Sequence, residues 1–232
     1  MSARTTTTVL DNVPWSAISG ANAHLAERNG LAGRYHRDVA PFCAIADQSA
    51  EAWDDLAALV GPGHRALLFA PEVEAPGGWT VEMQFEGVQM VAGDIAEPPD
   101  IDLVDLGPQD VPEMLALVAE TKPGPFSERT IELGRYLGHR VEGRLVAMAG
   151  ERMHPDGFTE VSAVCTLAEF RGRGLGGALT LAVAKHIRDR GDEAFLHAAG
   201  NNTNAIRLYT ELGFDMRRED VTVLVLKPPE VA

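Results

Sequence analysis

Cysteine is nearly absent from this chain, with only Cys43 and Cys165 among 232 residues. Both lie in apolar surroundings, so no disulfide framework is needed, and two buried thiols in a reducing cytoplasmic setting are expected. No Cys/His cluster has metal-ligand spacing, so no metal is expected. No apolar run approaches the roughly 20 residues that a membrane span requires. The opening stretch MSARTTTTVLDN lacks the apolar core and cleavage site of a signal peptide. Positive charge is scarce, at 20 basic against 34 acidic side chains. Residues 1–100 hold 5 basic and 14 acidic groups, residues 101–232 hold 15 and 20, and the first lysine is Lys122. Such a surface argues against nucleic acid as a partner, since phosphate contacts need a basic face. No Gly-Lys-Ser/Thr occurs either, which excludes a metal-assisted P-loop.

What is present describes a globular chain: 45% apolar residues and 14 scattered prolines. The segment AEPPDID, residues 96–102, reads as a linker and suggests a mixed α/β region over 1–98 followed by a domain over 99–232. In the first region, spacing predicts helices over 12–28 and 49–60, with Ser49 as the second helix's N-cap, and strands at RALLFA and WTVEMQF. No chemical motif appears there, and the two regions show no sequence repeat. The second region reads as a short strand, a helix after Asp110 and Pro112, a helix or loop at SERTIELGRY, and three strands joined by turns. A helix from about Gly174 to Arg190 follows, with the stripe Leu175, Leu179, Val183 and Ile187 and a stop at Gly191. A strand, a helix carrying Ala205, Leu208, Tyr209 and Leu212 on one face, and a last strand complete the pattern.

The stretch VCTLAEFRGRGLGGALTLAVAKHIRDRG places four glycines, Gly172, Gly174, Gly176 and Gly177, with Arg171 and Arg173 at the entrance of a helix. GRGLGG matches a dinucleotide-binding fingerprint, but LAEF and Arg171 separate it from its strand, and the next strand ends in Gly200 and Asn201 instead of a ribose-binding acid. Glycines on their own would serve close packing of the helix. Four glycines with two guanidinium groups point instead to anion capture. Free N–H groups and the positive end of the helix dipole would meet a pyrophosphate, and the arginines would add charge-assisted bonds.

These residues resemble the GNAT N-acetyltransferases, in their FR47-like branch. RGRGLG is similar to the Q/R-x-x-G-x-G/A signature, and NNTNAIRLYTELGF is similar to N-x-x-A-x-x-x-Y-x-x-x-G-F, with Asn202, Ala205, Tyr209, Gly213 and Phe214 in register. The resemblance covers about residues 101–227; Ala168 stands where many members carry proline. It implies an α/β (α+β) GNAT fold with a mixed, mostly antiparallel sheet flanked by helices. The first region would then be a degenerate GNAT-like half beside it.

The resemblance further implies acetyl-CoA as cosubstrate. Its pyrophosphate would lie on Arg171, Gly172, Arg173, Gly174, Leu175, Gly176 and Gly177, and its pantetheine arm along Val164, Cys165 and Thr166, as an added strand. Asn202 would bond the cofactor or cap its helix. Tyr209 would protonate the departing thiolate. An ammonium must lose a proton before it attacks, and Glu160, then Glu151, are the candidate bases. On a two-residue period Glu160 shares a face with Ser162, Val164 and Thr166. His197 reads as a packed histidine and Cys165 as an apolar filler, with no activating base for an acyl-cysteine route. The acceptor would be a small-molecule or peptide amine near residues 110–137, where Glu128 and Glu132 offer negative charge; a homodimer is compatible with the pattern. The competing function is a non-catalytic acetyl-CoA or CoA sensor.

Overall fold

The computed structural model describes residues 9–229. After a single 3-10 turn, helix α1 spans Val13–Ser19 with Pro14 in its first turn. The helical spacing predicted over 12–28 stops there. Gly20 bends back so closely that a Cβ on it would lie 2.9 Å from the Ser16 carbonyl oxygen. The chain then enters strands β1 (Ala26–Asn29), β2 (Ala32–Tyr35) and β3 (Cys43–Ile45), a three-stranded antiparallel sheet. Helix α2 (Ala50–Val60) starts on Ser49, whose hydroxyl accepts from the Ala52 N–H at 3.2 Å as the sequence led us to expect. Strands β4 (Ala66–Pro71) and β5 (Thr80–Ala92) follow.

Beyond the linker come β6 (Val104–Leu106), α3 (Val111–Thr121) and a 3-10 turn over Thr130–Leu133, which resolves the predicted helix or loop. Strands β7 (Tyr136–Val141), β8 (Arg144–Glu151) and β9 (Phe158–Thr166) lead to α4 (Leu175–Asp189), β10 (Glu193–Ala199), α5 (Thr203–Glu211) and β11 (Phe214–Lys227). The stripe Leu175, Leu179, Val183 and Ile187 on α4 is buried. Gly191 takes φ +100° just after the helix, a left-handed turn that glycine makes without steric cost.

Among the described residues, eight strands form one sheet in the order β4-β11-β5-β10-β9-β8-β7-β6, and only its β9 and β10 run parallel. The fold is therefore the mixed, mostly antiparallel sheet flanked by helices that the sequence led us to expect. The sheet runs across the 98/99 division, because β5 lies between β10 and β11. One face, with Phe158, Phe195 and Phe69, packs under α1 and the strands of the first region, together with Leu10, Ile18 and Phe42. The opposite face, with Met90, Val161 and Leu196, packs under Leu179, Val183 and Ile187 of α4.

The order of elements repeats. Helix, hairpin, strand, helix and two strands occur as α1, β1-β2, β3, α2, β4 and β5. They occur again as α3, β7-β8, β9, α4, β10 and β11, with α5 added. A parallel bridge from Phe42 to Leu67 joins the β3 end to β4, as β9 joins β10. The last strands are exchanged: β5 pairs with β10, and β11 pairs with β4 as well as β5.

Strand β9 carries a bulge. Cys165 pairs with Met148 and Ser162 with Gly150, so Ala163 and Val164 together oppose Ala149, and Ala163 sits at φ +53°. The bulge resets the alternation. Val164 and Thr166 face the start of α4, where a Cβ on Gly176 would lie 3.8 and 3.9 Å from their side chains. Cys165 faces Thr121 of α3. The expectation that Glu160, Ser162, Val164 and Thr166 share a face is thus corrected: the first two share one, and the last two look the other way. Ala163→Val, which forces a β-branched side chain into left-handed backbone, should lower stability by about 1–3 kcal/mol, read as a fall in thermal midpoint. Ala163→Gly should cause no such fall. A valine variant as stable as the parent would mean the bulge relaxes freely.

Candidate active site

Strands β9 and β10 pair only at Glu193–Phe158, Ala194–Thr159 and Phe195–Glu160, and then diverge. The bulge at Ala163 and the start of α4 hold the gap open. A cavity of about 640 Å³ occupies it, bounded by Val161 to Thr166 on one strand and His197 to Ala199 on the other. On the helix side its wall is Gly176, Asn202, Ala205, Leu208 and Tyr209; on the other side lie Arg152, Phe42 and Phe69. The cavity therefore passes through the sheet, open to two different surroundings.

At the helix side, the glycine-rich turn behaves as its composition demands. Gly172 and Gly174 take φ +75° and +77° with open space where a Cβ would be, so conformation alone requires glycine there. Gly177 instead packs: its Cβ would meet Leu212 at 3.4 Å and Leu208 at 3.5 Å, which lets α4 and α5 approach. No side chain caps α4 at Gly174, and no acidic residue occupies its first turn. The first-turn N–H groups and the positive end of a 15-residue helix are thus left without a capping side chain, an arrangement suited to an anion. Arg171 lines the cavity, and its Nε donates to the Thr166 carbonyl at 3.2 Å. Arg173 lies outside the lining; its guanidinium sits 4.9 Å from the Phe170 ring centroid and donates to the Glu169 carbonyl at 3.3 Å. Leu175 is buried beneath the turn.

Val164, Cys165, Thr166, Gly176, Asn202 and Tyr209 all meet at the cavity. Asn202 also caps α5, its side chain accepting from the Ala205 N–H at 3.2 Å. Tyr209 is 8% exposed, its ring edge-on to Phe214. Burial pushes its pKa up to about 12, so its hydroxyl keeps its proton at neutral pH. Burial likewise pushes the Cys165 thiol up to about 11, which leaves no thiolate for a covalent route.

The two candidate bases lie elsewhere. Glu160 is fully buried one layer behind the cavity wall. Arg152 donates to both of its oxygens, at 2.6 and 2.7 Å, and His197 Nδ1 lies 2.7 Å from Oε1. Burial alone would raise its pKa, but the Arg152 guanidinium and the His197 bond more than offset this and leave it at about 2. A carboxylate that weak does not strip an alkylammonium of its proton. Glu151 lies on the opposite face near the far end of α4, 1% exposed, with Arg190 Nη1 at 3.1 and 3.2 Å from its oxygens. Glu132, a predicted attraction for cations, is held by Arg129 at 2.7 Å.

His197 is packed, as its place in a strand suggested, but one edge reaches the cavity. Its Nε2 lies 3.0 Å from the Gln89 amide nitrogen, while Gln89 accepts from Arg217 at 2.7 Å and donates to the Leu10 carbonyl at 2.9 Å. The amide nitrogen therefore donates to Nε2, and His197 keeps its proton on Nδ1 for Glu160. Arg152, Ser162, His197 and the phenylalanines of the first region were missed as site residues. No local motif marks them, because sheet pairing alone brings them to this gap.

Comparison with known proteins agrees with this geometry. The family model for FR47-like proteins matches residues 136–223, from β7 into β11. A mycothiol acetyltransferase of Thermomonospora curvata is 40% identical over 97 residues, 41% of this chain and 32% of that one. A mycothiol acetyltransferase of Rhodococcus jostii is 30% identical over 152 residues, 55% and 50% respectively. The chain thus spans between about a third and half the length of these curated relatives. Among solved structures, a GCN5-related N-acetyltransferase from Kribbella flavida shares the fold, with TM-score 0.61 at 19% identity over 94% of this chain and 96% of that one. A GNAT-family protein from Novosphingobium aromaticivorans superposes with TM-score 0.86 at 39% identity, over 94% of this chain and 98% of that one. Kinship at that identity over a whole chain, joined to a splayed parallel strand pair and a glycine-led helix at the gap, makes this protein a member of the GNAT family of acetyltransferases.

Proposed function

We propose that the protein transfers an acetyl group from acetyl-CoA to a primary amine by direct attack. In this reading the amine nitrogen attacks the thioester carbonyl carbon, a C–N bond forms and the C–S bond breaks. The electron pair leaves on sulfur, which takes a proton from Tyr209, and the proton shed by nitrogen returns to Tyr209 through water. The first turn of α4 and Arg171 would hold the pyrophosphate, with Gly172, Arg173 and Gly174 shaping the turn. The edge of β9 at Val164 to Thr166 would accept the pantetheine amides, which need partners once buried. Tyr209 would donate its proton toward the departing sulfur. Glu160 is read here as the anchor of Arg152 and His197, and Glu151 as the anchor of Arg190; the amine's proton would pass to water beside Ser162. The single observation that carries the reading is the through-sheet gap, with an uncapped helix start and a protonated tyrosine on one side.

The recurring order of elements supports reading residues 1–98 as a degenerate copy of the same fold that lost its own cofactor turn. A second functional reading also has an observation in its favour. No carboxylate among the described residues lines the cavity, which suits a non-catalytic acetyl-CoA sensor. Calorimetry with acetyl-CoA, followed by thiol release with a panel of amines, separates the two. Thiol release above the hydrolysis background supports the enzyme; tight binding without release under every amine supports the sensor. Arg171→Ala with Arg173→Ala should weaken acetyl-CoA binding roughly 10-fold at low salt, and less at high salt because screening already removes part of the attraction. Binding unchanged at both salt concentrations would remove the pyrophosphate assignment.

A further inference from the structure

The side of the cavity away from α4 and α5 has a composition of its own. Phe42, Leu67, Phe69, Phe85, Val221 and Val223 form it, and the first four come from before the linker. Pairing explains why they converge: Val223 lies opposite both Phe69 and Phe85 on neighbouring strands, and Val221 lies opposite Gly87. Phe69 stands edge-on to Phe42 at 5.3 Å and to His197 at 5.0 Å. The apolar surface continues outward along β5, where Phe85 and Met83 are 42% and 56% exposed on the same face. Exposed apolar stripes of this kind, running into a cavity, mark ligand grooves.

The charges on the wall have one sign. The charged side chains lining the cavity are Lys122, Arg152 and Arg171, and no acid among the described residues joins them. The chain's net charge of −14 is therefore spent elsewhere on the surface. A second ammonium on an acceptor would be desolvated here and would find no carboxylate on the wall to pair with. A single amine gains from the same surroundings: an apolar wall disfavours its protonated form, so the wall itself favours the neutral nucleophile. That effect stands in for the missing carboxylate base.

From this wall we infer that the acceptor is a hydrophobic monoamine, an aralkylamine in class, and that residues 1–98 serve to build its pocket. The inference rests on the acetyl-transfer reading for its chemistry, but the pocket can be tested by binding alone. Two measurements on the full chain decide it: kcat/KM by thiol release with acetyl-CoA, and calorimetric binding to the CoA-loaded protein. The probes are phenethylamine, butylamine, spermidine and an aminoglycoside. Phenethylamine should exceed spermidine and the aminoglycoside by at least about 100-fold in kcat/KM, and butylamine should fall between them. Phe85→Ala, at a half-exposed position where folding is not at stake, should weaken phenethylamine binding roughly 10-fold and leave acetyl-CoA binding unchanged. Phe69→Leu, which keeps the core filled, should weaken phenethylamine more than butylamine. Spermidine or the aminoglycoside as preferred substrate overturns the inference while acetyl transfer stands. Absence of thiol release with every amine overturns the transfer reading, and phenethylamine binding then still decides the pocket: weakening by both variants upholds it, and no binding or no weakening ends it.

Discussion

Tyr209→Phe is expected to slow acetyl transfer on the order of 100-fold while acetyl-CoA binding stays within about twofold, as removal of a general acid does. The substitution isolates the hydroxyl, because the ring keeps its edge contact with Phe214 and its place among the apolar residues of α5. Burial pushes the tyrosine pKa up to about 12, so the proton is present throughout the neutral range. The loss should therefore appear in kcat across the neutral range, with no displacement of the pH profile. Thiol release under saturating acetyl-CoA, with calorimetry as the binding control, checks this. A variant that turns over at the parent rate would make Tyr209 a packing residue and nothing more.

Arg152→Met is expected to cost about 3–5 kcal/mol of folding stability, because it leaves the Glu160 carboxylate buried with only His197 beside it. Chemical denaturation at neutral pH reads this as a lower midpoint with an unchanged slope. The pH dependence follows from Glu160 itself. Its folded-state pKa of about 2 lies below the ordinary 4.5, so its stabilising contribution is fully present above pH 4.5. That contribution is lost as pH falls from 4.5 toward 2, and amounts to about 3 kcal/mol at about 1.4 kcal/mol per pH unit of displacement. Glu160→Gln, which keeps the shape and removes the charge, should therefore be clearly less stable than the parent at pH 7. The two should approach each other below pH 4. A gap as wide at pH 3 as at pH 7 would show that shape, not charge, sets the cost. The same variant bears on catalysis: if Glu160 is an anchor, activity should recover in step with folded fraction, whereas a base would leave a folded protein inactive.

Most of the second region could be read in advance, because each of its elements depends on neighbours in sequence. Asn202 caps α5 three residues ahead of its partner, Gly174 and Gly191 turn the chain at positive φ that residues with side chains rarely adopt, and the α4 stripe recurs at four-residue steps. The helix expected over 12–28 failed for the opposite reason. Its apolar spacing continued, but Gly20 and the pairing of β1 with β2 ended it. Glu160 illustrates the limit most sharply. Its place at a strand beside the gap was legible, yet its role turned on Arg152 eight positions earlier and His197 thirty-seven positions later.

The sequence by itself determined the helix side of the gap: a glycine-led helix start with its two arginines, the capped helix bearing Tyr209, and the strand that precedes them. Those features act over one or two turns of chain, where spacing and residue type are sufficient. Only the tertiary structure decided the other side. The bulge at Ala163 sent Val164 and Thr166 away from Glu160, and the exchange of β5 and β11 carried four apolar residues of the first region to the gap. Both depend on hydrogen-bonded register between strands far apart in the chain, and register leaves no mark on any single stretch of residues.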